Sequence, residues 1–213
     1  MFDFSTYLPP LLRGAWLTIV LLVISGVLGT VVGVVFGMAR SAPLGPVRWL
    51  AALYTNFVRG IPILIILLFL YYAIPLLFPY ATFSQGVTAV IGLTFYAGAY
   101  MAEIFRGSIQ AVPRGQLEAA EALGMHYGQK MRHVVLPQAL KIAVPPAIGF
   151  LIALVKASSL VSVINYTDLT RAGKIVNSQT HAPLATYLVV AALYFLISYP
   201  LSLLGRWYER RLA

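Results

Sequence analysis

Three stretches of this chain contain no Asp, Glu, Lys or Arg: Gly14 to Ala39 (26 residues), Gly60 to Ala102 (43) and Ile175 to Gly205 (31). Soluble domains carry about 25% charged residues. Here only 10% are charged and 60% are hydrophobic, with a mean hydropathy of +0.85. A helix of about 20 apolar residues crosses a bilayer. The chain therefore reads as all-α, an integral membrane helical bundle.

The first and third runs hold one span each. The middle run is long enough for two, divided by Pro75, Pro79 and the polar turn Thr82-Phe83-Ser84-Gln85-Gly86. A further apolar stretch is interrupted only by Lys141 and Lys156. This predicts five transmembrane helices, at roughly 13–39, 49–77, 86–105, 139–164 and 184–205. The N-terminus has no basic region ahead of its apolar run, and that run is too long for a signal peptide, so no cleavage is expected. There is no cysteine, hence no disulfide frame or thiolate chemistry. His126, His133 and His181 have no metal-ligand spacing. No catalytic residue and no metal site are expected.

The net charge of +9 could suggest nucleic acid, but its distribution points elsewhere. Arg40, Arg48, Arg106, Arg114, Lys130, Arg132, Arg206, Arg210 and Arg211 all fall on one side of the predicted spans. The other side has Arg171 and Lys174, with Arg13 at its edge. Excess Lys and Arg mark cytoplasmic loops. The expected topology is N-terminus out and C-terminus in, with membrane lipid and not nucleic acid as the partner of the basic charge.

Several positions inside the spans stand out. Gly29, Gly33 and Gly37 recur every four residues, spacing that lets helix backbones approach closely. They read first as packing within the chain and second as a subunit contact. Gly60 and Pro62 should bend or restart span 2 after Arg59. Glu103 sits near the inner hydrocarbon boundary, where an ion pair with Arg106 or Arg59 would offset its cost. Pro145-Pro146 and Gly149 predict a kink or break in span 4. Lys156, Ser158 and Ser159 form a polar group beyond it, read either as snorkelling with interhelical hydrogen bonds or as part of a path. The substrate-path candidates are Arg59, Glu103, Lys156, Ser158 and Ser159.

Residues 106–137 are the largest polar segment, flanked on both sides by spans. Pro113 suits the first turn of a helix. Leu117, Ala120, Gly124 and Tyr127 then share one face, and Gly124 permits a sharp turn. A second short helix, Gly128 to Leu136, should follow before Pro137 opens span 4. An amphipathic helix lying on lipid is the simpler reading, but the apolar face is small and Glu118 and Glu121 would be repelled by anionic lipid. No repeat or linker divides the chain, so 1–213 is expected to form one transmembrane domain containing this loop.

Glu118-Ala119-Ala120, Gly124, Val134 and Leu136-Pro137 carry the spacing EAA-x3-G-x9-I-x-LP, with Val134 in place of Ile. This resembles the EAA loop of ABC importer permeases. Arg59-Gly60-Ile61-Pro62, Ala99-Tyr100 with Glu103, Arg106-Gly107, Gly115-Gln116 and Leu136-Pro137-Gln138-Ala139 are similar to the polar amino acid branch (histidine, glutamine, glutamate type). The resemblance covers nearly the whole chain. It implies a type I ABC importer permease fold (methionine-importer-like) and a place in the cell inner membrane. The implied partners are a second permease subunit, identical or homologous, two ATP-binding cassette subunits and an extracytoplasmic amino acid-binding protein. It further implies that Gly115, Glu118, Ala119, Ala120, Leu123 and Gly124 couple to the ATPase, and that ATP and Mg are bound by that partner, with no cofactor in this chain. One departure stands out: where the branch has Lys-Asp-Thr-Ser-Leu, this chain has Lys156-Ala157-Ser158-Ser159-Leu160. The missing acid weakly favours a neutral or acidic amino acid over a cationic one.

The sequence has no G-x-x-x-x-G-K-[ST] phosphate loop. The chain is expected to be a transport subunit and not itself an enzyme. Two rival readings remain at this level: an ion- or proton-coupled carrier using Glu103 and Asp168, and a membrane scaffold whose loop recruits a cytosolic protein.

Overall fold

The computed structural model describes residues 4–78 and 80–212, so the break expected at Pro79 lies outside the described residues. Every regular element among them is helical. α1 (Phe4–Arg40) is followed by α2 (Gly45–Gly60) and by α3 (Ile63–Leu68), which continues through a π-turn, Phe69–Ala73, into α4 (Ile74–Leu77). α5 (Gln85–Gln110) leads to two short helices, α6 (Arg114–Ala122) and α7 (Tyr127–Lys130). A second π-turn, Met131–Val135, joins α7 to α8 (Leu136–Ala157), which tightens into a 3-10 segment, Ser158–Ile164. α9 (Leu169–Thr180) and α10 (Pro183–Leu212) complete the chain.

Four helical stretches are long and apolar enough to cross a membrane: Ser5–Arg40, Gln85–Gln110, Tyr127–Ile164 and Pro183–Arg211. The fifth expected span is instead a broken pair, Gly45–Gly60 and Ile63–Leu77, bent by 101°. The bend falls where Ile61 and Pro62 are extended, as Gly60 and Pro62 led one to expect. Pro62 has no N–H to continue the ladder, and the residue before a proline is disfavoured in helical geometry.

α5 is the central helix. Its inner face is built of small residues, Ala89, Gly92, Ala97, Gly98 and Ala102, which are buried. The α1 glycines pack on this face and not on another subunit. A methyl group at Gly29 would lie 2.5 Å from the Ala97 Cβ, and one at Gly37 would lie 2.8 Å from the Phe105 Cβ. One core joins Leu21 of α1, Ile63 and Leu67 of α3, and Ala89, Leu93 and Ala97 of α5 to Leu154 and Val161. A second, Leu11 and Ala15 with Leu169, Ala172 and Val176, clamps α9 against the start of α1.

Of the kink or break expected at Pro145 and Pro146, a break does not occur, and both prolines lie inside α8. Ala143 and Ala147 pack on Met101 and Phe105 of α5, and Gly205 of α10 comes close to Ile148. Neighbouring helices hold the axis across the two missing donors. Widening occurs instead just ahead of Pro75 and Pro137, where each π-turn relieves the clash between the ring and the preceding turn. The short helix expected at Gly128 to Leu136 is consequently not separate. Tyr127 to Ile164 is one helical rod.

Candidate functional site

α6 stands off the bundle as a nine-residue helix held by one small apolar seam. Val112, Val135 and Ala139 form that seam, with Ile109, Leu117 and Met131 packed against it. The helix begins directly after Pro113 and ends at Gly124, whose φ of 70° lies in the left-handed region. Glycine adopts that conformation without a Cβ penalty. Backbone bonds from Gly124 to Glu121 O (2.9 Å) and from Met125 to Ala120 O (3.1 Å) close the turn. Lys130 Nζ donates to Glu121 Oε1 at 2.5 Å, and Gln138 reaches Gln116 at 3.4 Å.

This geometry sorts the six coupling candidates. Gly115, Glu118, Ala119, Leu123 and Gly124 face outward, and Leu123 is 77% exposed. Ala120 is turned inward and buried. It seats the helix, while the five others form a surface with glycine and alanine at its centre and an uncovered leucine at its end. The Tyr127 hydroxyl donates to Ser41 O at 3.1 Å, tying the far side of the joint to the corner after α1.

Glu103 is the focus of a charge cluster at the same end of the bundle. Arg106 Nε donates to its Oε1 at 2.9 Å, and a second Arg106 nitrogen reaches the same oxygen. Arg40 donates to Oε2 at 2.6 Å and to Thr55 Oγ1 at the same distance. Arg59 stands 3.6 Å from Oε2 and 5.4 Å above the Tyr100 ring. Arg106 and Arg59 were expected partners; Arg40 was not. A signal for it existed, because Arg40, Arg59 and Glu103 each bound a charge-free run. Charges that terminate runs at one membrane boundary are brought to one level.

Tyr100 continues into an aromatic group that sequence reasoning did not assemble. Its ring stacks on Phe150 at 5.2 Å, and Tyr96 lies 4.7 Å from Tyr100. The remaining path candidates are not brought to Glu103. Ala143 packs near Met101 and Phe105, whereas Leu154 packs near Ala89 and Leu93, so Lys156, Ser158 and Ser159 lie toward the opposite end of α5. Lys156 is exposed. Ser158 is buried and donates to Val155 O at 2.8 Å, and Ser159 donates to Lys156 O at 2.7 Å. The serine hydroxyls therefore bond within their own helix and not to a neighbour, which removes the interhelical bonds that one of the two readings of this group supposed.

Asp168 is fully buried and caps α9: its carboxylate accepts from the backbone of Arg171 at 2.9 Å and of Thr170 at 3.1 Å. Tyr194 of α10 donates to it at 3.1 Å. Burial pushes its carboxyl above the usual aspartate value, against the pull of these donors. Asp168 is thus spent on joining α9 to its neighbours, and the Glu103 oxygens are occupied by arginines. Neither acid has the free carboxylate that a proton- or ion-coupled carrier would use. Among the described residues no group of His, Asp or Glu is arranged to hold a metal.

Residues 29–213 match the family model described as binding-protein-dependent transport system inner membrane component. The chain is 39% identical over 191 residues to the probable amino-acid ABC transporter permease protein YckA of Bacillus subtilis, covering 89% of this chain and 83% of that one. Its fold superposes on a chain from the crystal structure of an amino acid ABC transporter with histidines, with a TM-score of 0.92 and 33% identity over 99% of both chains. It also superposes on a chain from the inward-facing MetNI methionine ABC transporter, TM-score 0.83 at 24% identity over 100% of both.

Proposed function

The chain belongs to the family of binding-protein-dependent transport system inner membrane components, the permease subunits of ABC importers, and we propose that α6 is the surface through which a separate ATPase drives it. ATP hydrolysis lies in that separate partner subunit, and this chain contributes the membrane passage. The observation that carries the coupling reading is the outward face of α6. Five of the six coupling candidates, Glu118, Ala119 and Gly124 of the EAA-type motif with Gly115 and Leu123, are exposed while Ala120 anchors the helix.

Movement imposed on α6 has two routes into the membrane. Through Gly124 it reaches α7 and the continuous rod to Ile164. Through the Val112–Val135–Ala139 seam it reaches α5. A rod without a break at Pro145 carries displacement from the joint to the Lys156 end, which suits exchange between two packings of the same helices. A second permease subunit would complete the passage, two ATP-binding subunits would each receive one α6, and a binding protein would deliver substrate on the opposite side.

Substrates are polar amino acids on this reading, which the resemblance of Arg59-Gly60-Ile61-Pro62 to that branch supports, beside similar permeases named for amino acids. Arg59 is the best placed of the path candidates. Its side chain is 38% exposed and only loosely engaged by Glu103, and it lies over Tyr100, whose ring in turn meets Tyr96 and Phe150. Glu103 then positions Arg59. The test is reconstitution with ATPase and binding protein, comparing wild type with Ala119→Arg. Continued ATP hydrolysis with uptake lowered at least tenfold is expected, and uptake at the wild-type rate would overturn the assignment.

A further inference from the structure

α2 has three faces where an ordinary spanning helix has two. Ala51, Thr55 and Val58 are buried against α1 and α5. Arg48, Asn56 and Arg59 form a polar stripe beside them. On the third face Trp49, Leu50, Leu53 and Phe57 are each more than half exposed.

The helix does not run on into the segment that follows it. Its axis turns 101° from that segment, and contacts at both of its ends are made on the α6 side. Just before it, Ser41 O accepts from Tyr127 at the root of the coupling joint. Near its end, Thr55 accepts from Arg40 and Arg59 faces Glu103. Sixteen residues span about 24 Å at 1.5 Å per residue, and the 101° bend separates that length from the apolar segment Ile63–Leu77. A helix set off by such a bend, with an apolar stripe, a flanking tryptophan and basic residues, has the make-up of an interfacial helix.

We infer that α2 lies in the membrane interface on the α6 side, with Trp49, Leu50, Leu53 and Phe57 seated among lipid chains and Arg48 on an anionic phospholipid headgroup. The charge argument is one-sided: between Asp3 and Glu103 there is no acidic residue, so nothing on α1 or α2 repels an anionic surface. Arg40 and Arg59 face Glu103, whereas Arg48 is exposed and has no ion pair among the described residues. Lipid contact would then bear on the Ser41 corner that the coupling joint touches. The assignment to the cytoplasmic leaflet rests on the coupling reading; the seating in lipid does not.

The chain has no cysteine, which permits single spin labels at Leu50→Cys, Leu53→Cys and Asn56→Cys in the assembled complex, with cysteine-free partner subunits. In vesicles of phosphatidylcholine and phosphatidylglycerol, labels at 50 and 53 should collide with oxygen more than with a water-soluble nickel chelate, and the label at 56 should show the reverse. Labels at 50 and 53 reached by neither reagent would mean that a second copy or a partner covers the face, overturning the inference. In a second arm, spin-labelled phosphatidylglycerol should be preferred over phosphatidylcholine, and Arg48→Gln should lower that preference at least twofold while Arg171→Gln leaves it unchanged. An unaltered preference in Arg48→Gln, or its loss on adding inorganic phosphate to wild type, would overturn the headgroup assignment. Neither arm depends on ATP coupling, so failure here leaves the α6 reading standing.

Discussion

Arg40 and Glu103 meet at 2.6 Å although 63 positions separate them in the chain, and this contact locks the end of α1 to the end of α5. Glu103 also holds Arg106 and faces Arg59, so one carboxylate serves three cations drawn from three helices. Removing it leaves three guanidiniums without their counter-charge. Breaking a fully buried pair costs about 3–5 kcal/mol and an exposed one about 0.2–1 kcal/mol; this partly exposed cluster falls between. Glu103→Gln should lower stability by about 2 kcal/mol, read from thermal unfolding in detergent. Arg40→Gln should cost more than Arg59→Gln, because Arg40 is the less exposed and also bonds Thr55.

The two adjacent alanines of α6 should separate in their behaviour. Ala120→Arg forces a long charged side chain into a buried position and should lower the unfolding temperature of the isolated chain. Ala119→Arg projects outward and should leave that temperature within a degree or so while weakening ATPase binding about tenfold. Co-purification of the ATPase alongside thermal unfolding distinguishes the two.

Gly124 tests the joint itself. A Cβ there meets no atom within 4 Å, but the φ of 70° strains any other side chain. Left-handed geometry costs an ordinary L-residue about 1–2 kcal/mol and costs asparagine less. Gly124→Asn should retain most uptake, whereas Gly124→Val should lose it while ATP hydrolysis persists. Equal uptake in both variants would remove the joint from the account.

Glycine spacing in α1 predicts a steep contrast. A methyl at Gly33 would collide with Met101 Cβ and approach Ala102 N, whereas one at Gly149 finds nothing within 4 Å in its own chain. Gly33→Ala should therefore destabilise the chain by about 2 kcal/mol or more through overpacking. Gly149→Ala should be neutral or stabilise by up to about 1 kcal/mol from helix propensity. Thermal unfolding of both variants is the check.

Asp168 gives the pH dependence. Burial raises its carboxyl above the unfolded value of 3.8, so the folded state takes up the proton first. Its stability contribution is full below that value and is lost as pH rises through the folded one. Asp168→Asn keeps one side-chain oxygen, which can accept from one of the two amides that now bond to separate carboxylate oxygens, and removes the charge. The variant should gain stability relative to wild type as pH rises from about 3 to 7, followed by unfolding temperature across that range.

The long apolar helices and the small polar one were legible in the sequence, for different reasons. α1, α5 and α10 follow from charge-free runs, because lipid tolerates no other backbone solution at that length. α6 and its glycine joint follow from local rules, a proline at the start and a residue free to be left-handed at the end. The course of α2 was not legible: Gly60 and Pro62 announce a change of direction but carry no angle. Arg40 escaped notice as a Glu103 partner because the contact exists only once the α1 glycines pack on α5. Pro145 and Pro146 do not break α8, because the packing of Ala143, Ala147 and Ile148 outweighs the loss of two backbone donors.

The central claim is that α6 is where the ATPase engages the membrane chain. Placing the only cysteine of this chain at Ala119→Cys and adding a short bifunctional cross-linker to the assembled transporter addresses it directly. The account predicts a cross-link to the ATPase subunit whose yield changes when ATP and Mg are added. A residue 119 that cross-links to no ATPase subunit, or that is labelled from the extracytoplasmic side, would contradict it.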